Sequence, residues 1–189
     1  MKKEKKYSKV KIQSKRIVLR PYLFSDFQFC KHSNENRLKK RNKFDEEIPI
    51  SKLPTYEEFK KRAQDTRRHA KMKVHFIFGI FDLKNNAYIG QIDLFVINKQ
   101  LRWGNLGFHI HNQFWSKGYA TEAGKLALKL AFRNLRFHRI EAGTEKANKA
   151  SRQVLKKLKL NYEGERKKFF PENGGIDMVF YATNALDFK

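Results

Sequence analysis

Apolar residues along the chain recur first at strand spacing, then at helix spacing, and the changes mark the elements. Ile17-Val18-Leu19, set between Arg16 and Arg20-Pro21, reads as a short buried strand stopped by a proline that cannot donate to a ladder. Ser25-Asp26 opens a helix whose apolar positions are Phe27, Cys30 and Leu38. Residues 35–43 are heavily charged, and Pro49 and Pro54 bracket a loop. Thr55-Tyr56-Glu57-Glu58 has capping-box spacing and starts a very polar helix running to about residue 69. Residues 74–81 and 88–96 are rich in β-branched and aromatic side chains. With the turn chemistry of 82–86 between them they predict a hairpin, followed by a third strand over 102–111.

After Gly118 the period becomes helical. Ala123, Leu126, Ala127, Leu130 and Ala131 share one face, and Lys125, Lys129 and Arg133 another. A short strand at 138–142 precedes a second helix that begins at Asn148, with Ser151, Val154, Leu155 and Leu158 inward. Strands at 162–170 and 176–181 close the chain around Pro171-Glu172-Asn173-Gly174-Gly175. No repeat appears, and the order of elements is that of an α/β fold with a mixed sheet.

At 189 residues the chain suits one domain, expected over 16–189, after a basic lead at 1–15 that is expected to be mobile. Its 40% hydrophobic content and 17 Phe exclude wholesale disorder. The 42 Lys and Arg against 19 Asp and Glu give a net charge of +23, which points to nucleic acid, a ribonucleoprotein surface or a polyanionic small molecule. One cysteine, Cys30, excludes an internal disulfide framework and a Cys-rich zinc site, and fits a reducing compartment. No apolar run is long enough to span a membrane, and residues 1–6 lack the apolar stretch of a signal peptide. A cytoplasmic protein with no membrane partner is the expectation.

Candidate chemistry concentrates between Leu106 and Ala123. A strand there meets the loop Gln113-Phe114-Trp115-Ser116-Lys117-Gly118, and a helix starts at about Tyr119. Small residues at Ser116, Gly118 and Ala120 permit close backbone approach, and a helix N-terminus offers free N–H groups and a positive dipole end, a combination suited to phosphate. Neither a Walker A nor a GxGxxG pattern is present. The run from Gln113 to Ala123 resembles the acetyl-CoA signature of the GNAT acetyltransferases. It is most similar to the branch of the RimJ/RimL ribosomal-protein N-terminal acetyltransferases, which usually reads close to W-G-K-G-Y-A-T-E-A. Residues 16–21, Asn34-Glu35-Asn36-Arg37, Phe78-Gly79-Ile80-Phe81-Asp82, His138-Arg139-Ile140-Glu141-Ala142, Asn148 with Ser151, Glu163-Gly164 and Asp177 match further positions in order.

The resemblance implies a GNAT fold: a mixed, mostly antiparallel sheet of six to seven strands with about four helices on its faces. It implies that backbone amides of Ser116, Lys117, Gly118, Tyr119 and Ala120 hold the pyrophosphate of acetyl-CoA. In the family the preceding strand splays from its neighbour around a bulge, which would let Phe108, His109 and Ile110 offer backbone groups to pantetheine and thioester. A backbone N–H there would stabilise the oxyanion. Asn148 would contact pantetheine, and Ser151 could protonate the leaving thiolate. Many relatives place a Glu where this chain has Asn105, which favours an α-amine acceptor, with a pKa near 7.7–8, over a lysine amine near 10.4. A base acting through water is then sought among Glu141, His109 and Glu145, while the match of Glu122 usually packs structurally. Ser116 replaces the commoner Gly, Leu155 replaces a Tyr general acid, and Lys159-Leu160 replaces Gly-Phe after the last helix. Arg133 or Lys156 is a candidate contact for the 3′-phosphate. His109 and His111 share a strand face, but no metal is expected, for want of further clustered ligands.

Three functions stay open. The first is an acetyl-CoA-dependent enzyme for protein N-termini, ribosomal proteins foremost. The second acts on a small amine such as a polyamine, antibiotic or amino acid. The third is a non-catalytic RNA- or ribosome-binding module.

Overall fold

The computed structural model describes residues 10–45 and 48–188. The described residues form eight strands, β1 (Ile12–Gln13), β2 (Ile17–Arg20), β3 (His75–Asp82), β4 (Tyr88–Asn98), β5 (Trp103–Ile110), β6 (Arg139–Glu145), β7 (Asn161–Phe170) and β8 (Ile176–Asn184). They form one sheet in the order β1-β2-β3-β4-β5-β6-β8-β7. Every neighbouring pair is antiparallel except β5 and β6, which run parallel and are joined by a helical crossover.

Each face of the sheet has its own core. Ile17 and Leu19 of β2, Phe76, Phe78 and Ile80 of β3, and Leu106 and Ile110 of β5 join the core beneath α3 (Tyr119–Arg133) and α4 (Lys149–Lys157). Val18 of β2, with Tyr22, Phe81 and Tyr88, packs beneath α1 (Phe27–Glu35) and α2 (Tyr56–Lys71), where Cys30, Phe59 and Ala63 meet them. Adjacent side chains of one strand thus enter opposite layers, the consequence of a two-residue period. On the helix side α3 and α4 touch closely. A Cβ at Gly124 would lie 2.5 Å from Leu158 Cδ1, so glycine sets their separation.

The structure moves three boundaries. The basic lead does not stay apart from the domain after residue 9: Val10 is buried, and Ile12 and Gln13 pair with Leu19 and Val18, which brings the sheet to eight strands. Residues 1–9 lie outside the described part. The first helix ends at Glu35, with Asn36 as C-cap, instead of reaching Leu38. Leu38 is unavailable to it because its backbone N–H and C=O are both bonded by the Asn112 side chain. The last helix stops without glycine: Lys159 adopts φ +60°, its N–H bonds Lys156 O, and Leu160 N–H bonds Leu155 O. That is a Schellman closure, and buried Leu155 and Leu160 supply its apolar contact. The capping box predicted at Thr55 is formed, with Glu58 bonding back to Thr55.

Candidate active site

Strands β5 and β6 pair only at Trp103, Gly104 and Asn105, opposite Arg139, Ile140 and Glu141. Beyond Asn105, β5 keeps its β4 partner as far as Ile110, while β6 keeps β8 as far as Glu145. The two parallel strands therefore diverge and leave a wedge at their carboxyl ends, the usual place for a ligand crevice in such sheets. His111 N–H bonds Ile89 O on the β4 side. By alternation the N–H and C=O of Leu106, Phe108 and Ile110 point into the wedge, and those of His109 belong to the β4 ladder. Trp115 Nε1 donates to Ile110 O at 2.7 Å and so occupies that acceptor, while the N–H groups of Phe108 and Ile110 remain as wedge-facing donors. No register break occurs along residues 104–110, because the irregularity of this hairpin sits at Val96/Asn98. The splay needs no bulge in β5.

At the tip of the wedge the chain turns into α3. Gly118 caps the helix at φ +81°, and Ser116 sits at φ +61°, a left-handed conformation that explains why glycine is the commoner residue there. The first intrahelical bond runs from Glu122 N–H to Gly118 O, so the amides of Tyr119, Ala120 and Thr121 are directed outward, toward the wedge end. Lys117 folds back, with Nζ donating to Gln113 O at 3.0 Å. Glu122 is held as a structural anchor. It takes Ser14 Oγ at 2.6 Å and Arg16 Nε at 2.8 Å, while Arg16 Nη1 donates to Lys117 O and the guanidinium lies 4.6 Å above the Tyr119 ring. Arg16 thus places a cation beside the free amides, a role its strand context did not announce.

The β6 side of the wedge ends in Asn148, whose Oδ1 accepts from Ser151 N–H at 3.1 Å and caps α4. Ser151 is half-buried in the first turn of that helix, whereas Leu155 is 1% exposed and packed in the core. Arg133 and Lys156 fall in the last turns of α3 and α4. Arg133 is roughly 21 Å along α3 from Tyr119 by helical rise, which removes it from the loop's anion site.

The opposite face of the wedge carries Asn105, Gly107 and His109 on β5, His111 just beyond its end, and Glu141, Gly143 and Glu145 on β6. Asn105 and Glu141 are register partners. Glu141 is 7% exposed, and no hydrogen bond reaches its carboxylate among the described residues. Glu145 pairs with Lys43 at 2.7 Å. His109 and His111 meet edge to face at 5.5 Å. His111 is buried, its Nδ1 lies 2.8 Å from Ser33 Oγ, and Ser33 Oγ donates to Tyr88 O. Burial, reinforced by Arg37 and His109, lowers the His111 pKa to about 3. It is therefore a neutral structural group.

Asn112 and Asp45, which the sequence did not single out, form a buried polar cluster beside the wedge with Arg37. Asn112 Nδ2 donates to Leu38 O and to Asp45 Oδ2, and Asn112 Oδ1 accepts from Leu38 N–H. Arg37 Nη2 donates to Asp45 Oδ1 at 2.9 Å. Burial raises the Asp45 pKa, yet the bonds from Asn112, Arg41 N–H and Arg37 outweigh it and hold the carboxyl below its ordinary range. A shallow groove of 390 Å³ between α2 and β3, lined by Glu58, Arg62, Asp65 and His75, is a separate feature two strands away from β5. Among the described residues no group of three His, Cys, Asp or Glu side chains could hold a metal ion.

A wedge between parallel strands that ends on exposed helix amides suits a pantetheine arm with its pyrophosphate, and residues 16–161 match the family model described as an acetyltransferase (GNAT) domain. The chain belongs to the GNAT acetyltransferase family. It is an acyltransferase of the N-acetyltransferase kind. A probable N-acetyltransferase of Bacillus subtilis, YjcK, is 29% identical over 167 residues, 86% of this chain and 90% of YjcK. Among solved structures, a ribosomal-protein-S5-alanine acetyltransferase from Vibrio fischeri superposes with a TM-score of 0.74 at 23% identity, covering 95% of this chain and 99% of the other. A RimL ribosomal L7/L12 α-N-protein acetyltransferase in complex with coenzyme A gives 0.72 at 17% identity, covering 93% and 97%. At these identities the two structures establish the shared GNAT fold. No helix among the described residues is long and apolar enough to cross a membrane.

Proposed function

We propose that this GNAT enzyme moves the acetyl group of acetyl-CoA to the α-amino group of a protein, with ribosomal proteins as the first class to test, in the cytoplasm. The observation that carries the reading is the wedge itself: the β5 edge, the Ser116-to-Thr121 amides and the Asn148 cap converge at the carboxyl ends of β5 and β6. The outward amides and Arg16 hold the pyrophosphate. The wedge-facing edge of β5 lines the pantetheine, with the Phe108 N–H as the donor to the developing oxyanion. Ser151, on the first turn of α4 behind the Asn148 cap, relays a proton to the leaving thiolate as the nitrogen of the tetrahedral intermediate gives up its own through water, a task Leu155 cannot perform.

Acceptor choice follows from acid–base arithmetic. Asn105 is not a base, His111 is neutral and tied to Ser33, and the nearby carboxylates are Glu141 and Glu145. An α-amine is substantially neutral near pH 7.7–8 and needs little help, which a carboxylate can supply through water. The exposed lysines of α3 and α4, Lys125, Lys129, Lys156 and Lys157, add a basic surface suited to a ribosome-bound substrate. The deciding experiment measures thiol release from acetyl-CoA with N-terminal peptides, the same peptides blocked at the α-amine but carrying lysine, polyamines and aminoglycosides. Turnover confined to free α-amines supports the proposal, and turnover confined to small amines overturns it. Cosedimentation with ribosomes that weakens steeply with salt tests the surface separately.

A further inference from the structure

Resting on the α-amine reading above, we propose that the loop over residues 37–45 selects the acceptor, and that it favours an amino terminus whose next residues are acidic.

Both ends of this loop are fastened to one residue. Leu38 N–H and C=O bond the Asn112 side chain at 2.8 and 2.7 Å, and Asp45 accepts from Asn112 Nδ2 at 2.9 Å. The closing pair is rigid, with Arg37 and Asp45 side chains 8% and 0% exposed, and Arg41 N–H also bonds Asp45. Asn112 follows the end of β5, on one side of the wedge. The tip reaches the other side, where Lys43 Nζ meets Glu145 Oε2 on β6. The loop therefore bridges the mouth between the diverging strands, on the face that bears Asn105, His109 and Glu141.

Its chemistry is two-signed. The tip is Lys39-Lys40-Arg41-Asn42-Lys43, and all five residues are exposed. Beneath it, on a single face of β6, stand Glu141 and Glu145, the first buried with no hydrogen bond to its carboxylate. An arriving ammonium has two carboxylates to meet and can take the place of the Lys43 ammonium at Glu145. Lys43 is then released beside Lys39, Lys40 and Arg41, just where the residues after the acceptor's first must leave the wedge. A polycation satisfies the carboxylates but is repelled by the tip. An amine followed by acidic side chains satisfies both.

The test uses the full chain, acetyl-CoA and three peptides that begin with the same serine and differ at positions two to four: Glu-Asp-Glu, Gln-Asn-Gln and Lys-Arg-Lys. Several exposed charge contacts together give an expected preference of about tenfold in kcat/KM for the acidic peptide over the basic one at low salt, shrinking as salt rises. In the variant Lys39→Ser/Lys40→Ser/Arg41→Ser, which leaves every clamp bond in place, the acidic peptide should fall to the level of the neutral one. Unchanged acetyl-CoA affinity shows that this variant is folded. Equal kcat/KM for acidic and basic peptides, or a preference that survives in the variant, overturns the inference and leaves α-amine acetylation standing. Turnover of spermidine with none of the peptides overturns the α-amine reading, and this inference with it.

Discussion

Replacing Asn112 by alanine should loosen the acceptor side of the site while sparing the cofactor side. Asn112 is 2% exposed and its amide is nearly saturated: Leu38 N–H at 2.8 Å, Leu38 O at 2.7 Å and Asp45 Oδ2 at 2.9 Å. Two neutral bonds at about 1 kcal/mol each and one to a carboxylate at about 2 kcal/mol bring the gross loss to about 4 kcal/mol. Leu38 is 47% exposed, so its freed backbone groups regain water, whereas Asp45 at 1% exposure cannot. A net cost of about 3 kcal/mol remains, and in a chain of this length that corresponds to a fall in Tm of about 6–12 °C. The amides at 119–121 are not touched, so acetyl-CoA affinity by calorimetry should stay within about twofold of wild type, well under 1.4 kcal/mol. Peptide kcat/KM should fall by much more, because the loop over 37–45 loses both its tethers to β5. A double-mutant cycle with Asp45→Asn should show coupling above about 0.5 kcal/mol, since the two side chains share a bond. A Tm drop of less than about 2 °C, or acetyl-CoA affinity falling in step with peptide kcat/KM, refutes the assignment of Asn112 as the hinge pin of the acceptor loop.

Gly118→Ala adds a Cβ whose sole close neighbour is Arg16 Nη2 at 3.6 Å, an ordinary contact, so its effect is conformational. Holding alanine at φ +81° should cost about 1 kcal/mol net, lower Tm by about 2–4 °C and weaken acetyl-CoA binding, and an unchanged melt removes the strain argument. Ser116→Gly, at φ +61°, should be close to neutral, because relief of strain is offset by glycine's larger chain entropy. His111 links the fold to acid. With its folded pKa lowered to about 3 against about 6.5 unfolded, its contribution is complete above pH 6.5 and is lost as pH falls toward 3, by up to about 1.4 kcal/mol per pH unit. Urea midpoints between pH 7 and 5, above the window in which Asp45 enters, should slope less steeply in His111→Gln than in wild type, and parallel slopes rule the linkage out. Ser151→Ala should slow single-turnover acetyl transfer while acetyl-CoA affinity holds, and an equal loss in both recasts Ser151 as a binding residue.

Elements with a strong period were readable from the chain alone: the hairpin of β3 and β4, the α3 face and the capping box at Thr55 all sit where spacing puts them. The turn into α3 at Gly118 was legible as a turn, whereas its reading as a cofactor loop rests on the family resemblance of residues 113–123. Three features escaped for definite physical reasons. Ile12–Gln13 is too short to show alternation, and it is a strand because Leu19 and Val18 offer a ladder edge. The end of α1 is set by Asn112, a partner more than seventy residues away, which no local window contains. The clamp of Arg37, Asp45 and Asn112 is made of ordinary polar residues whose burial arises from tertiary contacts, and Arg37 stands in a charged stretch at 35–43 that carries no apolar period. Lys159 is the reverse case. No glycine marks this helix stop, yet buried Leu155 and Leu160 hold the Schellman turn and a left-handed lysine is tolerated.

The excess of positive charge is not one feature but several with different duties. Arg16 is committed to Glu122 and the loop carbonyl at the anion end of the wedge. Arg37 is spent on the buried Asp45 carboxylate through one bond, and Arg20 on the buried Asp26 through two. The Arg37 and Arg20 pairs are largely internal and contribute little to any field seen by a partner, since each cation is neutralised at contact distance, whereas Arg16 stays half-exposed at the anion end of the wedge. Among the described residues, two exposed basic surfaces bear on the site, the loop tip at 39–43 and the outer sides of α3 and α4. They lie on opposite faces of the sheet, so one rigid polyanion cannot lie flat against both. An acidic N-terminal segment entering at the loop tip, with the α3 and α4 lysines facing away from it toward a larger anionic assembly, uses both surfaces at once. Under that arrangement, removing the tip charges should change which peptide is acetylated, whereas removing the helix lysines should change only how often the enzyme meets it. Selectivity and encounter are then separable by mutation, the first read in peptide kcat/KM ratios and the second in the salt dependence of ribosome binding.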